Sequence, residues 1–290
     1  PVALGRVRPF SVGRKNRLAQ TTRKKKATMT DLPKRVIKRA LRAFGFQASL
    51  IPQHIRAEEV LERLDDPFGS TLLSMYQGNP QRGFDGQMHR LDNITKISPE
   101  QGMWLYDLCL SSKPQSTLEI GMAYGFSTLF FLGAIAKNRL GRHTAIDPFQ
   151  KSHWHGIGLT LANEYSATLG DNSAFHFIED RSDRAATDLA REKQCFDIVF
   201  VDGNHRYDDV LVDFYLYSQL VSNGGLIIFD DMWMSSVKSA VEFIRTNRRD
   251  FGEIVSPVPN VAVFQKVGND CRRWDEFSAF RVFPSTGLEK

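Results

Sequence analysis

The chain has 290 residues, 42% of them hydrophobic, which is enough for one substantial core with appendages but short for two domains of ordinary size. Its formal charge of +5 is unevenly spread: residues 1–45 hold fourteen Lys or Arg against the single acid Asp31, so they carry +13 and leave residues 46–290 at −8. No apolar stretch approaches the ~20 residues of a membrane helix, the basic leader lacks the apolar core of a signal peptide, and Cys109, Cys195 and Cys271 are scattered as reduced thiols would be, so a cytoplasmic protein is expected.

Residues 1–28 lack apolar periodicity and read as a disordered basic leader. A helix is expected over 31–45, with Asp31 as N-cap and Pro33 in its first turn, inside an N-terminal extension and cap spanning 29–97. Residues 78–97 are rich in Gly, Asn and Asp and read as a loop able to cover a site. Ser98-Pro99-Glu100-Gln101 then supplies an N-cap, a proline at the first helical position and a glutamine at the third, opening a helix to about residue 111.

From residue 117 short β-rich runs alternate with helical patterns, the signature of a parallel sheet covered on both faces. The runs are 117–121, 143–147, 174–179, 196–202 and 225–230, with helices expected near 126–138, 157–169, 182–193, 206–221 and 235–248. Residues 251–266 break the alternation, because two β-rich runs flank Pro257, Pro259 and Asn260 with no helix between, and they predict a terminal antiparallel hairpin. The fold class is therefore α/β: a Rossmann-like, seven-stranded, mostly parallel sheet with an antiparallel hairpin at its end and helices on both faces. The catalytic domain is expected over 98–268, with a tail at 269–290.

Three features carry chemistry. The first is the glycine turn in 117–128, TLEIGMAYGFST, where Gly121 and Gly125 turn a strand into a helix whose free N–H groups favour a carboxylate. Its spacing lacks the G-x-G-x-x-G of dinucleotide binders. The second is the set of acids at strand ends, where ligands sit in open parallel sheets. Asp147 stands where a carboxylate accepts ribose hydroxyls, or serves as a turn residue before Pro148. Asp202, Asp230 and Asp231 would converge, if their strands are neighbours, into the oxygen-ligand set of an octahedral cation such as Mg²⁺. The third is His205, three residues after Asp202, which could take a proton at neutral pH or simply bond locally at a helix start. His153 and His155 lack a third ligand in spacing, and Trp154 between them is expected to pack on an adenine or close a pocket.

Together LEIGMAYGFST, the acid of TAIDPF, VDGNHRY, the FDD pair and the terminal hairpin resemble a class I S-adenosylmethionine-dependent methyltransferase. Within that class the chain is similar over 98–267 to the metal-dependent O-methyltransferases of the catechol and caffeoyl-CoA type and their bacterial relatives acting on sugar or antibiotic hydroxyls. The resemblance implies that Glu119, Gly121, Met122, Ala123, Tyr124 and Gly125 shape the cofactor loop and that Ser127 bonds the methionine carboxylate. Asp147 would hold the ribose, while Asp180, Arg181 and Ser182 lie along the adenine. Asp202, Asp230 and Asp231 would bind a divalent cation, with Asp202 also beside the cofactor. The catechol-type enzymes have a lysine base where this chain has His205, so His205 or Asp202 would take the proton, and the second acid pair is Asp-Asp instead of Asp-Asn.

The implied activity is methyl transfer from S-adenosylmethionine to a hydroxyl of a small molecule such as a sugar, phenol or natural product, by a chain whose Phe-rich ends would suit a homodimer. A nucleic-acid methyltransferase would explain the basic arm, but Asp202-Gly203-Asn204-His205 stands where amino-group enzymes carry Asn/Asp-Pro-Pro-aromatic. A catalytically silent cofactor-binding protein is the third possibility.

Overall fold

The described part of the chain, residues 57–92, 94–169 and 173–282 of a computed structural model, opens with helices α1 (Ala57–Leu61) and α2 (Phe68–Tyr76). The expected leader, the helix over 31–45 and the end of the tail lie outside these residues. The segment 78–97 is not all loop: β1 (Gln81–Arg82) and β2 (Met88–His89) pair antiparallel. A tight turn joins them, in which Gly86 at φ 76 donates to the Gly83 carbonyl, a conformation that glycine adopts freely.

Helix α3 (Pro99–Ser112) starts at the expected capping box. The Gln101 N–H donates to Ser98 Oγ at 3.1 Å, and the Ser98 N–H donates to Gln101 Oε1 at 2.9 Å. The chain then alternates β3 (Ser116–Ile120), α4 (Phe126–Asn138), β4 (Arg142–Ile146), α5 (Ile157–Thr168), β5 (Phe175–Ile178), α6 (Ser182–Arg191), β6 (Phe196–Val201), α7 (Tyr207–Tyr217), β7 (Val221–Phe229), α8 (Ser235–Asn247), β8 (Phe251–Ile254) and β9 (Ala262–Lys266). Strand β7 and helix α7 depart by several residues from the expected spans, the strand starting four residues early and the helix ending four residues early. Helix α7 ends at Tyr217, and Lys266 Nζ, reaching over from β9, donates to the Ser218 and Val221 carbonyls where the strand begins.

The seven strands lie in the order β5-β4-β3-β6-β7-β9-β8. Strands β3 to β7 pair parallel, and β9 joins β7 and β8 antiparallel. Two apolar cores follow from strand alternation. One packs helices α1 to α5 on one face, around Phe130, Phe131 and Leu105, and the other packs α6 to α8 on the opposite face, around Phe214, Tyr217 and Ile244. Among the described residues no helix is long and apolar enough to cross a membrane.

The chain runs outward from β3 through β4 to β5 and then returns to place β6 on the other side of β3. That reversal opens a crevice at the carboxyl ends of β3 and β6, the position at which such sheets bind ligands.

Ionisable groups are buried beside the second core, and Asp213 is one whose carboxyl burial strongly perturbs. Asp213 on α7 is 3% exposed, and burial pushes its carboxyl up to about 6, against a bond from the Ser182 side chain that favours the charged form. Such a group adds stability below the unfolded value of 3.8 and loses it as pH rises through about 6. Keeping Asp213 charged at neutral pH therefore costs about 3 kcal/mol. Asp213→Asn keeps an acceptor for Ser182, so urea unfolding near pH 8 should show a gain on the order of 1–3 kcal/mol that vanishes below about pH 4. A gain independent of pH would refute this origin.

Candidate active site

The glycine turn folds as its residues require. After β3, Gly121 takes φ 89, and a Cβ there would stand 2.1 Å from the Asp202 carbonyl oxygen. The Gly125 N–H donates to the Met122 carbonyl at 2.8 Å, and Ala123 between them has φ 46. The far side of the turn rests on the start of α5, where a Cβ on Gly158 would lie 2.8 Å from the Ala123 carbonyl oxygen. Helix α4 starts at Gly125 without a side-chain cap, so its first N–H groups face the crevice end unanswered by a cap.

Asp147 is buried at the end of β4 and is engaged by that turn. Its Oδ2 accepts from the Met122 N–H at 3.2 Å and the Ala123 N–H at 2.8 Å, and its Oδ1 accepts from the Phe149 N–H at 2.7 Å. Gln150, itself buried, donates to the Ala123 carbonyl at 2.7 Å and accepts from the Leu159 N–H at 3.3 Å. The Asp147 carboxylate thus ties the glycine turn to the loop after β4.

Glu119 is also fully buried, on the face of β3 that looks toward α4. Ser127 Oγ donates to Glu119 Oε2 at 2.6 Å and Thr128 Oγ1 donates to Oε1, while His143 Nε2 lies 3.2 Å from Oε1. His143 Nδ1 in turn meets Thr117 Oγ1 at 2.8 Å, and its ring stacks on Phe131 at 4.5 Å. The Ser127 hydroxyl proton is thus directed inward at Glu119. Thr117, Thr128 and His143 escaped the sequence reading, although strand alternation puts Thr117, Glu119 and His143 on one face and could have grouped them.

The acid cluster forms at the ends of β6 and β7. One ligand atom each from Asp202, His205 and Asp231 lies within 4.8 Å of the others, and His205 Nε2 is 3.0 Å from Asp231 Oδ2. Among the described residues no donor bonds the Asp202 carboxylate. Burial, with the charges of Asp230, Asp231 and Glu119, holds that carboxyl well above the usual range. Asp231 is pulled the other way: burial is outweighed by His205, by Trp233 Nε1 donating to Oδ1 at 2.7 Å, and by Asn260 Nδ2 at 3.4 Å. Such a set of donors, with one carboxylate free of internal bonds, fits a divalent cation.

Asp230 is placed differently from its neighbours. Its Oδ1 accepts from Gln101 Nε2 at 2.8 Å, from the Asp231 N–H at 2.8 Å and from Asn260 Nδ2 at 3.3 Å. Burial still raises its carboxyl to about 6. Gln101, from the start of α3, and Asn260, from the β8–β9 connection at φ 67, were not foreseen as site residues. Only the local half of Gln101, its capping bond, is visible in the sequence.

Asp180, Arg181 and Ser182 lie at the end of β5, next to β4. Asp180 Oδ1 accepts from the Arg181 N–H at 2.7 Å, Arg181 pairs with Asp183 at 2.9 Å, and the Ser182 carbonyl accepts from the Tyr217 hydroxyl at 2.8 Å. Trp154 packs edge-on against Tyr124 of the glycine turn, ring centres 5.1 Å apart. His155 stacks on His89 at 4.0 Å, and its carbonyl accepts from the Phe84 N–H at 2.9 Å. The hairpin of 78–97 is thereby docked on the loop after β4.

Residues 118–232 match a family model described as a methyltransferase domain. The chain is 36% identical over 84 residues to an uncharacterized protein of Acanthamoeba polyphaga mimivirus, a match covering 22% of this chain and 38% of that one. It is 23% identical over 160 residues to the flavonoid 3',5'-methyltransferase of Vitis vinifera, covering 54% and 64% respectively. The chain therefore spans less than two thirds of the length of either relative. Among solved structures, the SAH-bound methyltransferase of Podospora anserina aligns with TM-score 0.55 and 15% identity, covering 83% of this chain and 100% of that one. The O-methyltransferase TomG from Streptomyces achromogenes, in complex with SAM, aligns with TM-score 0.50 and 19% identity, covering 70% and 91%. These likenesses establish a shared fold.

Proposed function

Since residues 118–232 form a methyltransferase domain in a sheet of the class I methyltransferase fold, we propose that this chain transfers a methyl group from S-adenosylmethionine to a hydroxyl of a small molecule. One observation carries the reading: the glycine turn and the Asp202 cluster meet in the crevice between β3 and β6, with Gly121 packed against the Asp202 carbonyl. Four neighbouring strands, β4-β3-β6-β7, bear Asp147, the glycine turn, Asp202 and Asp231 in turn. At ~4.8 Å per strand they span about 14 Å, room for a nucleoside-bearing methyl donor at one end and an acceptor at the other. The small-molecule acceptor is supported by the kinds of protein that the chain resembles, a flavonoid methyltransferase and an O-methyltransferase involved in tomaymycin synthesis.

In this reading the N-terminus of α4 receives the carboxylate of the donor through backbone N–H groups. The Ser127 hydroxyl stays with Glu119 and holds the helix start in place. The acceptor hydroxyl lies among Asp202, His205 and Asp231. As its oxygen attacks the methyl carbon, the carbon–sulfur bond breaks, the electron pair returns to sulfur and S-adenosylhomocysteine leaves as a neutral thioether. The hydroxyl proton passes to Asp202, the carboxylate with no internal hydrogen bond, while Asp231 orients His205. Holding two reactants in line is the main contribution asked of the protein, worth up to roughly 7–11 kcal/mol. Asp202 and Asp231 would hold a divalent cation, which when bound would supply further acidity to the hydroxyl.

Titration calorimetry with S-adenosylmethionine and S-adenosylhomocysteine tests the reading most directly. Micromolar binding of both is expected, and failure to bind either overturns it.

A further inference from the structure

The acid cluster and its imidazole bear on which cation this chain accepts. We propose that His205, in place of Asp230, completes the cation site with Asp202 and Asp231, and that its imidazole selects a first-row transition dication such as Mn²⁺ or Co²⁺ over Mg²⁺. The inference rests on the acceptor-site reading above and names the ion of that same site.

Three observations carry it. The ligand atoms that converge are those of Asp202, His205 and Asp231, all within 4.8 Å of one another. His205 Nε2 and Asp231 Oδ2 stand 3.0 Å apart, the separation of adjacent ligands lying roughly 2.1 Å from an octahedral ion. Asp230, by contrast, is committed through Oδ1 to Gln101, to Asn260 and to the backbone of Asp231. Its side chain is anchored to α3 and to the β8–β9 connection, and it acts as a positioning residue for the turn that presents Asp231.

The chemistry follows from the donor set. Mg²⁺ dehydrates reluctantly and takes oxygen ligands, whereas imidazole suits later divalent metals. Two carboxylates and one neutral imidazole leave three octahedral positions for water and for one or two acceptor hydroxyls. The three acids at the ends of β6 and β7 face a single imidazole, so a dication relieves their mutual repulsion.

The test uses the full chain stripped with chelator and measures metal binding, independent of turnover. Calorimetry with Mn²⁺ and Mg²⁺, and visible absorption on adding Co²⁺, should give at least about tenfold tighter binding of Mn²⁺ and Co²⁺ than of Mg²⁺. His205→Ala should weaken Co²⁺ by about tenfold or more and change Mg²⁺ by less than about threefold, while Asp230→Asn leaves Co²⁺ within about threefold. Mg²⁺ binding as tightly as Mn²⁺, an Asp230→Asn loss as large as that of His205→Ala, or no uptake of any metal would each overturn the proposal. In the last case the 3.0 Å contact is only a hydrogen bond. S-adenosylhomocysteine calorimetry on the same samples separates the two readings. Cofactor binding without metal selectivity sinks this inference alone, and selective metal binding without cofactor sinks the methyltransferase reading alone.

Discussion

Gly121→Ala is expected to cost about 3 kcal/mol or more of folding stability and to weaken S-adenosylhomocysteine binding beyond detection. Two separate penalties coincide at this residue. Its φ of 89 is one that L side chains rarely adopt, and its added Cβ would sit 2.1 Å from the backbone oxygen of Asp202. Backbone cannot swing aside as a side-chain tip can, so either β3 and β6 separate at their carboxyl ends or the turn is rebuilt. Both outcomes dismantle the crevice. Gly78→Ala provides the control: its φ is 76, but nothing lies within 4 Å of the new Cβ. That variant should lose only the conformational penalty, about 1 kcal/mol, with cofactor binding intact. Urea unfolding and calorimetry on both proteins decide the matter, and equal losses for the pair would show that the contact with Asp202 is irrelevant.

Asp202→Asn should lower methyl transfer by about 10³-fold while leaving S-adenosylhomocysteine affinity within about threefold. The same change should raise folding stability at neutral pH. Burial and the charges of Asp230, Asp231 and Glu119 hold the Asp202 carboxyl well above its ordinary range. A carboxyl raised in this way favours the fold below its unfolded value and disfavours it as pH climbs through the folded one, so near pH 7 the neutral amide removes a penalty. Activity and stability moving in opposite directions is the signature of a group kept for chemistry at a cost to the fold. Turnover within about tenfold of the parent would remove Asp202 as the proton acceptor and pass the role to His205 or solvent.

Much of this architecture was legible along the chain. The alternation of β-rich and helical runs from 117 onward gave the five parallel strands, because periods of two and of 3.6 residues are written locally. The helix 126–138 matches α4 to the residue, since Gly125 before it and Arg139 after it both lie in the left-handed region and bound it at both ends. The capping box at Ser98 and Gln101 was equally local. The hairpin within 78–97 was missed because its strands are two residues long, too short for any period to register.

The site divides along the same line. Sequence placed acids at the ends of β4, β6 and β7, since a strand end is a local property, and it placed His205 beside Asp202 by mere proximity in the chain. Part of what holds Asp147 and Asp230 was decided by partners brought from far away. Gln101 reaches Asp230 across 129 positions and Asn260 across 30, and both donate to its Oδ1. Asp147 depends on N–H groups 24 and 25 residues distant, offered only once the glycine turn has closed over β4. The chain by itself determined the order of elements and the kinds of side chain at the carboxyl edge of the sheet. The tertiary structure alone decided which of those side chains are hydrogen-bonded within the fold and which are not, because hydrogen-bond satisfaction of a buried carboxylate is a property of its surroundings and not of its position in sequence.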